Sequence, residues 1–387
     1  MMYLYFILLF IIVILVIFKL YIKIKYKFWA HQPMFHNYNL YYKYFKRGII
    51  NYELPKINKY YNFYNVIVDD YQNINDNTIK EIINLLQNES HPFNPKNNHK
   101  ENNNIYSKFS SYFIGCNNKS FVSIYYKKKS LFDKTEKGML YSIMTTRALN
   151  ITLNNLKIFK IYYIDYLCIS NDYKNDDIIN ELFQTHEYIQ RHKNKDIKST
   201  LFKSTKKIPG IIALTKYNIY NFDFNNILKQ QLPCGSMQLI EITKQNIQLI
   251  ISLIYSQKNR IECFIIPDLT NLLNLINNDI YKIYGIIQHD ILISCYFFRN
   301  NNTVNYTIEC YSSISNCYYK TFFIGFCMAI EKLKAKHVII ESISDNYIII
   351  NYIFSLNIKP MLTKSVFFYF YNYIIKPISS DKMFILI

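Results

Sequence analysis

The chain has 387 residues, enough for about two or three domains or for one large domain built from two similar halves. Its formal net charge of +18 fits a lysine-rich solvated surface, or affinity for anionic lipid or a phosphorylated ligand. Zinc-finger, helix-turn-helix and RNA-recognition signatures are missing, so we expect no nucleic acid as partner. The eight cysteines show neither a CxxC pair nor zinc-ligand spacing, which predicts reduced thiols and no metal site.

Residues 1–18 carry no charged side chain and consist mainly of Ile, Leu, Val, Phe and Tyr. A helix of this length rises about 27 Å at about 1.5 Å per residue, just enough to cross a bilayer core. Four lysines follow within residues 19–27. The positive-inside rule therefore predicts a single-pass membrane anchor with the body in the cytosol. A cleaved signal peptide is the alternative, but the run has no basic segment before it and no small-residue cleavage site after it.

Two groups of predicted strands and helices follow a basic, aromatic segment at residues 19–65, which we predict to be an extended stalk and arm. A helix is predicted over residues 78–88 and a loop over residues 91–104. The first group has strands at residues 112–115, 121–126, 138–145 and 156–169 and a helix at 176–191. The second has strands at 238–241, 280–287, 291–298, 306–311, 337–342 and 365–373, and helices at 244–255, 320–333 and 348–356.

The repetition of strands with interleaved helices predicts an α+β chain with two similar halves, joined near residues 224–235. We place the anchor at residues 1–18, the arm at 19–65, the N-terminal half at 66–228 and the C-terminal half at 229–387. His289 and Asp290 lie side by side between two predicted strands. This placement favours a strand turn over a catalytic pair.

Three short fragments, far apart in the sequence, carry a resemblance to a known family. The first is Phe-Trp-Ala-His-Gln-Pro at residues 28–33, similar to Phe-Trp-x-x-Gln-Pro-Val. The second is Tyr-Ile-Asp-Tyr-Leu-Cys-Ile at 163–169, similar to Glu-Ile-Asn-Phe-Leu-Cys-Val, and the third is Phe-Tyr-Phe-Tyr-Asn-Tyr at 368–373, similar to Tyr-Tyr-Leu-Tyr-Asn-Trp. In this order and spacing, across about residues 27–387, they resemble the glycylpeptide N-myristoyltransferases.

The resemblance implies a fold and a reaction. The family fold has two tandem acetyltransferase-like (GNAT) halves around one twisted mixed sheet, here preceded by the N-terminal transmembrane helix. The family transfers myristate from its co-substrate myristoyl-CoA to the N-terminal glycine of peptides or proteins. This implies an acyl-CoA site in the N-terminal half and a peptide site in the C-terminal half.

Acyl transfer from a thioester to an amine needs a polarised carbonyl and a proton acceptor, held in one geometry. The resemblance assigns the first role to backbone N–H groups at Tyr166 and Leu167. It assigns the second role, general base, to the C-terminal carboxylate of Ile387. Thr200 and Glu341 are candidates near the acceptor amine, but neither aligns cleanly with the family's Thr and Asp.

The resemblance also implies how acyl-CoA is held. Residues that line the cofactor or pair with its pantetheine chain match Lys27, Phe28, Trp29, Leu167, Cys168 and Ile169. The family's basic phosphate loop is replaced by Lys174, Asn175, Asp176 and Asp177, followed by Ile178 and Ile179. Two acids there oppose pyrophosphate binding, although acids also favour a helix N-terminus. The alternative function is therefore an inactive acyltransferase-fold protein that binds acyl-CoA or lipidated peptides.

Overall fold

The computed structural model describes residues 2–89, 108–127, 138–153, 158–171, 176–224, 232–233, 235–300 and 307–387. Helices in these ranges are α1 (Met2–Tyr26), α2 (Leu40–Tyr44), α3 (Asp76–Glu89), α4 (Asp176–Lys193), α5 (Ile247–Ser256), α6 (Leu269–Asn277), α7 (Tyr319–Lys332) and α8 (Asn346–Ser355). Strands are β1 (Gly48–Ile49), β2 (Val66–Asp70), β3 (Phe121–Lys127), β4 (Met139–Leu153), β5 (Phe159–Ile169), β6 (Thr200–Ser204), β7 (Thr215–Asp223), β8 (Met237–Ile242), β9 (Cys263–Ile266), β10 (Tyr281–Gln288), β11 (Ile291–Asn300), β12 (Thr307–Ser315), β13 (His337–Glu341), β14 (Leu362–Tyr371), β15 (Tyr373–Ile374) and β16 (Met383–Ile385). The α+β class is confirmed.

Within the described residues, fourteen strands form one mixed sheet that carries the core on both faces. The order is β16-β9-β4-β5-β6-β14-β7-β13-β12-β11-β10-β8, with β3 beside β4 and β2 beside β3. Helices α3, α5 and α6 pack on one face, and α4, α7 and α8 pack on the other. Because both faces are covered, the strands are long apolar runs rather than alternating ones.

Each half of the chain repeats one topology. In the first, β3, β4 and β5 are antiparallel and α4 leads to β6, which is parallel to β5. In the second, β10, β11 and β12 are antiparallel and α7 leads to β13, which is parallel to β12. The last strands are exchanged, since β7 pairs with β13 and β14 pairs with β6. The prediction of two tandem halves around one sheet is thereby confirmed. The boundary between residues 228 and 229 lies outside the described residues, as does the loop at 91–104.

The N-terminal region is more regular than predicted. Helix α1 continues to Tyr26, past the predicted end of the anchor at Phe18. Its segment Tyr5–Tyr26 is long and apolar enough to span a membrane, and none of its most apolar 18 residues is buried in the protein. The following residues are not an extended stalk, because they form a short turn at Trp29–His31, then α2, and bury Phe28 and Met34 in the body.

One predicted strand is wrong. Residues 108–111 are helical, and residues 112–115 form turns instead of a strand. Asn271 of α6 explains the difference, because its Nδ2 donates to the carbonyl oxygens of Tyr112 and Ile114 at 3.1 and 2.6 Å. A buried side-chain amide thus takes the place of a neighbouring strand.

The turn predicted at His289 and Asp290 is present between β10 and β11. Both residues have left-handed backbone angles, with φ of 50° and 61°. Two such residues form the tight hairpin turn that matches the twist of antiparallel strands.

Candidate active site

The candidate site lies where two parallel strands of the N-terminal half separate. β5 and β6 pair only at Tyr162 with Thr200 and at Tyr163 with Leu201. β5 then continues to Ile169, while β6 follows β14. β5 is buried over residues 161–164 and partly exposed over residues 165–169. The sheet therefore opens into a wedge whose wall is the second fragment of the sequence.

A β-bulge lies at the start of this wedge. Thr146 of β4 pairs with Ile164 and Met144 pairs with Leu167, so two residues of β5 oppose Thr145 alone. A bulge turns backbone groups out of the regular ladder. The Tyr166 N–H donates to Thr145 Oγ1 at 3.2 Å, and the Leu167 side chain is 45% exposed. The two predicted carbonyl-polarising positions thus stand at an irregular, accessible point of the strand.

A buried ion pair lies beside the bulge. Arg147 Nε donates to both carboxylate oxygens of Asp165, at 3.0 and 2.9 Å, and Nη1 donates to Asn271 Oδ1 at 2.8 Å. Burial raises the pKa of the Asp165 carboxyl, and the Arg147 guanidinium offsets part of this rise. Among the described residues, Arg147 Nη2 is buried without a hydrogen-bond partner. The pair holds β4 against β5 where the bulge interrupts their ladder.

The predicted base lies at the end of a parallel strand in the same core. β16 pairs with β9, and the Leu386 N–H donates to the Ile265 carbonyl at 2.8 Å. Ile387 is 5% exposed and packs in one cluster with Tyr163 of β5. Arg299 Nη2 of β11 donates to the terminal oxygen of Ile387 at 2.8 Å. A cation therefore faces the oxygen to which the proton-accepting role was assigned.

A second acidic group follows beyond Arg299. Glu309 of β12 lies 3.7 Å from Arg299 Nε. Glu341 of β13 accepts from Lys203 Nζ at 2.6 Å and from the Tyr217 hydroxyl at 2.5 Å. Burial raises the pKa of Glu341, Lys203 lowers it, and Glu309 raises it further. The two carboxylates Glu309 and Glu341 thus lie between the cations Arg299 and Lys203, in a charged series that runs from Ile387 to β6.

The first and third fragments meet, although about 340 residues separate them. Tyr371 donates through its hydroxyl to Gln32 Oε1 at 3.0 Å, and the Asn372 N–H donates to the Pro33 carbonyl at 2.6 Å. Trp29 stacks on Phe202 of β6 with ring centroids 6.0 Å apart. The single tryptophan therefore packs on a strand that borders the wedge.

The positions predicted to bind acyl-CoA differ in how far they can reach a ligand. Phe28 is 3% exposed and packs edge-on against Tyr60 at 4.9 Å, so it supports the site from within the core. Lys27 turns the chain between α1 and the arm with a left-handed φ of 37°. Cys168 and Ile169 are partly exposed along the wedge.

Helix α4 begins at the far end of the wedge. Lys174 and Asn175 lie outside the described residues, and Asp176 is the first helical residue. Asp177 is exposed, whereas Ile178 and Ile179 are partly buried. A helix N-terminus in general suits a phosphate, while the exposed acid at this one opposes it.

A buried polar layer fixes α4 on the sheet. His186 Nδ1 lies 2.6 Å from Ser123 Oγ of β3, and His186 Nε2 lies 2.9 Å from Thr146 Oγ1 of β4. Thr200 of β6 donates to Glu187. Thr200 was one of the two candidates near the acceptor amine. In the structure its hydroxyl instead makes a hydrogen bond within this buried layer.

Sequence reasoning missed Arg147, Arg299 and Lys203. Arg147 is the charged residue of an otherwise uncharged fifteen-residue strand, which is a usable signal for a buried partner. Arg299 and Lys203 lie at strand ends, where a basic residue is ordinary. Their partners are distant in sequence, so pattern alone could not find them. Within the described ranges, no three His, Cys, Asp or Glu side chains are grouped to hold a metal ion.

Comparison with solved structures gives the fold a precedent. One structure of Saccharomyces cerevisiae N-myristoyltransferase with bound myristoyl-CoA is 14% identical, with a TM-score of 0.66 over 92% of this chain and 94% of that chain. Another, with bound myristoyl-CoA and inhibitors, is 14% identical, with a TM-score of 0.65 over 94% of both chains. No family model and no curated sequence matches the chain. The chain therefore shares the fold of these enzymes, at an identity too low to carry over their activity.

Proposed function

We propose that the chain is a divergent, membrane-tethered N-myristoyltransferase, which moves myristate from myristoyl-CoA to the N-terminal glycine of peptides or proteins. The observation that carries the proposal is the wedge between β5 and β6, with its bulge opposite Thr145 and its partly exposed wall at residues 165–169. An extended pantetheine chain can add to such an unpaired strand edge as a further strand. The similarity to solved structures with bound myristoyl-CoA supports the same ligand class.

In this proposal, the thioester carbonyl lies at the bulge. The amine nitrogen bonds to the carbonyl carbon, the C–S bond breaks and coenzyme A leaves as a thiolate. Backbone N–H groups of Tyr166 and Leu167 stabilise the charge that develops on the carbonyl oxygen. The Tyr166 N–H now donates to a threonine hydroxyl, which can rotate to another donor when the carbonyl oxygen arrives.

The acceptor amine arrives as an ammonium and must lose a proton before it attacks. The Ile387 carboxylate accepts this proton. Arg299, 2.8 Å from its oxygen, favours the ionised carboxylate and fixes its direction. A second proton leaves the nitrogen as the amide forms, and the coenzyme A thiolate takes up one proton as it departs.

Acyl-CoA is held from both sides of the wedge. Lys27 and Trp29 come from the arm, Cys168 and Ile169 from β5, and the N-terminus of α4 supplies N–H groups for the pyrophosphate. Helix α1 spans the bilayer and keeps the body on the cytosolic side, next to the membrane that receives a lipidated product. The chain thus acts on soluble peptides at a fixed distance from the lipid.

A protein that binds acyl-CoA without turnover is the second candidate, favoured by one observation. Asp177 is exposed at the helix end where a phosphate would bind. Calorimetric titration of the detergent-solubilised chain with a non-hydrolysable myristoyl-CoA, followed by a transfer assay with a glycine peptide, separates the two. Binding without transfer selects the second candidate, and absence of binding rejects both.

A short polar extension after Ile387 tests the proposed base. The extension moves the carboxylate away from Arg299, so we expect transfer to fall at least about 100-fold while acyl-CoA affinity changes little, as for loss of a general base. The same peptide attached before Met1 is the matched control and should leave transfer unchanged. Full activity of the C-terminally extended chain would exclude Ile387 as the base.

A further inference from the structure

Helix α2 presents an apolar face that the described part of the body does not cover. The face consists of four exposed residues: Leu40 (64% exposed), Tyr41 (59%), Tyr44 (64%) and Phe45 (77%). Positions i, i+1, i+4 and i+5 of a helix lie on one side, and we call this group the α2 face. Tyr41 and Phe45 stack within it, with ring centroids 6.1 Å apart.

Hydrogen bonds at both ends of α2 hold the α2 face in place. The Asn39 side chain caps the helix by accepting from the Tyr42 N–H at 3.1 Å. Arg47 closes the other end, because its guanidinium donates to the carbonyl oxygens of Tyr42 and Lys43 at 3.1 and 3.2 Å. This five-residue helix is held at both ends and presents its apolar side outwards. Such an exposed apolar surface indicates a binding site for a membrane or for another protein.

Basic side chains surround the α2 face. Lys43 and Arg47 are exposed, and Lys46 is partly exposed beside them. Lys43 Nζ lies 5.5 Å from the Tyr44 ring centroid. Aromatic rings with basic neighbours are the composition of a membrane–water interface, and the positive charge suits anionic lipid.

The position of α2 relative to α1 sets its depth. The ring of Tyr26, the last residue of α1, stacks on Tyr38 with centroids 5.7 Å apart, and it fills the space beside Gly210. Leu40 follows Tyr38 by two residues, which span at most about 7 Å. The headgroup layer is about 5–8 Å thick on each side of the hydrocarbon core. The apolar segment that is long enough to span a membrane ends at Tyr26, which places the start of the α2 face at headgroup depth.

We propose that the α2 face is a second membrane contact, which inserts into the headgroup layer of an anionic bilayer and fixes the orientation of the body relative to α1. The inference rests on the membrane placement of α1 and does not depend on acyl transfer. It gives residues 40–45 of the arm a role that the site leaves unassigned. With two contacts, the wedge is held at one orientation to the lipid surface.

Single-tryptophan variants of the full chain in nanodiscs test this. Phe45→Trp in a Trp29→Phe background places the reporter in the α2 face, and Tyr318→Trp in the same background is the control, since Tyr318 is 62% exposed in the other half. With phosphatidylserine present, we expect a blue-shifted emission for the first reporter and at least about twofold stronger quenching by lipids spin-labelled near the headgroup. A Lys43→Gln/Lys46→Gln chain should lose the dependence on phosphatidylserine.

Photo-crosslinking of the unmutated chain to diazirine lipids is the second measurement, and it does not depend on the fold of any variant. Adducts at residues 40–45 and none at Tyr318 support the proposal. Emission of a water-exposed indole at position 45 together with no adducts there overturns it. A blue shift without lipid quenching assigns the face to a protein partner, such as a second copy, and also overturns it. Acyl transfer is assayed separately, so loss of activity cannot be mistaken for loss of lipid contact.

Discussion

The polar layer under α4 gives a pH dependence that can be worked from the structure. Burial lowers the pKa of His186 to about 4 from 6.5, and burial raises the pKa of its neighbour Glu187 to about 7 from 4.5. Both side chains are at most 2% exposed, so solvent screens neither group. Each of these two changes in pKa corresponds to about 3 kcal/mol of folding free energy.

The two residues act in opposite directions. The stabilisation from neutral Glu187 is complete below pH 4.5 and is lost as the pH rises to about 7. The stabilisation from neutral His186 is complete above pH 6.5 and is lost as the pH falls to about 4. The sum of the two contributions to the free energy of unfolding is almost constant from pH 4.5 to 6.5. Neither contribution is therefore visible in the pH dependence of the wild-type chain.

Replacing either residue should make the pH dependence that the other one causes measurable. In Glu187→Gln, the unfolding free energy should rise by about 3 kcal/mol from pH 4 to 6.5. In this range His186 binds a proton in the unfolded chain but not in the folded one, so acid favours unfolding. In His186→Gln, it should fall by about 3 kcal/mol from pH 4.5 to 7. Urea unfolding of the full chain in detergent, followed by circular dichroism, measures both slopes. Glu53→Gln, at an exposed carboxylate, is the control, and parallel curves for all four proteins would refute the assignment of buried neutral groups.

Two further substitutions test the charges around the wedge. Arg299→Gln should reduce transfer at least about tenfold with acyl-CoA affinity retained, and Arg299→Lys should recover part of it, since the Ile387 oxygen then regains a cation. The measurement is single-turnover transfer over pH 6–9, and an unchanged rate would remove Arg299 from the proposal. Arg147→Met should destabilise the fold by about 3–5 kcal/mol, because Asp165 stays buried without its cation. Adding Asp165→Asn to Arg147→Met should recover most of that loss in the same urea assay, and a double variant no more stable than the single one would show that the pair is not what holds β4 to β5.

Local sequence patterns predicted the elements whose partners are also local. Residues 78–88 carry a helical period and a cap, and α3 forms over Asp76–Glu89. The long apolar run before residue 169 became β5, and the polar pair at 289–290 became a hairpin turn. In each case the neighbouring residues alone specify the backbone conformation.

Elements made by distant partners were not predictable in this way. The short strand β9 exists because it pairs with β16 on one side and with β4 on the other, and both partners are more than 100 residues away along the chain. The apolar run at 112–115 satisfies strand propensity, but Asn271 binds its carbonyls and makes turns. The charged series from Ile387 through Arg299 to Lys203 joins four strands, and no segment of the sequence shows it.

The two halves share the bulge as well as the topology, yet their gaps differ. In the C-terminal half, β12 and β13 pair only from Thr307 to Cys310 on β12, and β12 has its own irregularity at the following residue. Beyond it, Tyr311 and Ile314 remain buried, at 2% and 0% exposed. β12 therefore separates from its parallel neighbour as β5 does, without becoming accessible.

The second gap is closed by the chain itself. The Ser315 N–H donates to the Asp345 carboxylate at 2.7 Å, and Ser313 Oγ donates to Asn346 Oδ1 at 2.5 Å. These acceptors come from the start of α8, so a protein carboxylate already occupies the Ser315 N–H beyond the bulge. In the first gap the Tyr166 N–H donates to a rotatable threonine hydroxyl, and residues 165–169 of β5 are partly exposed. Of two gaps with one topology, the first is therefore the one that can admit a thioester, and this assigns acyl-CoA to the N-terminal half in our proposal.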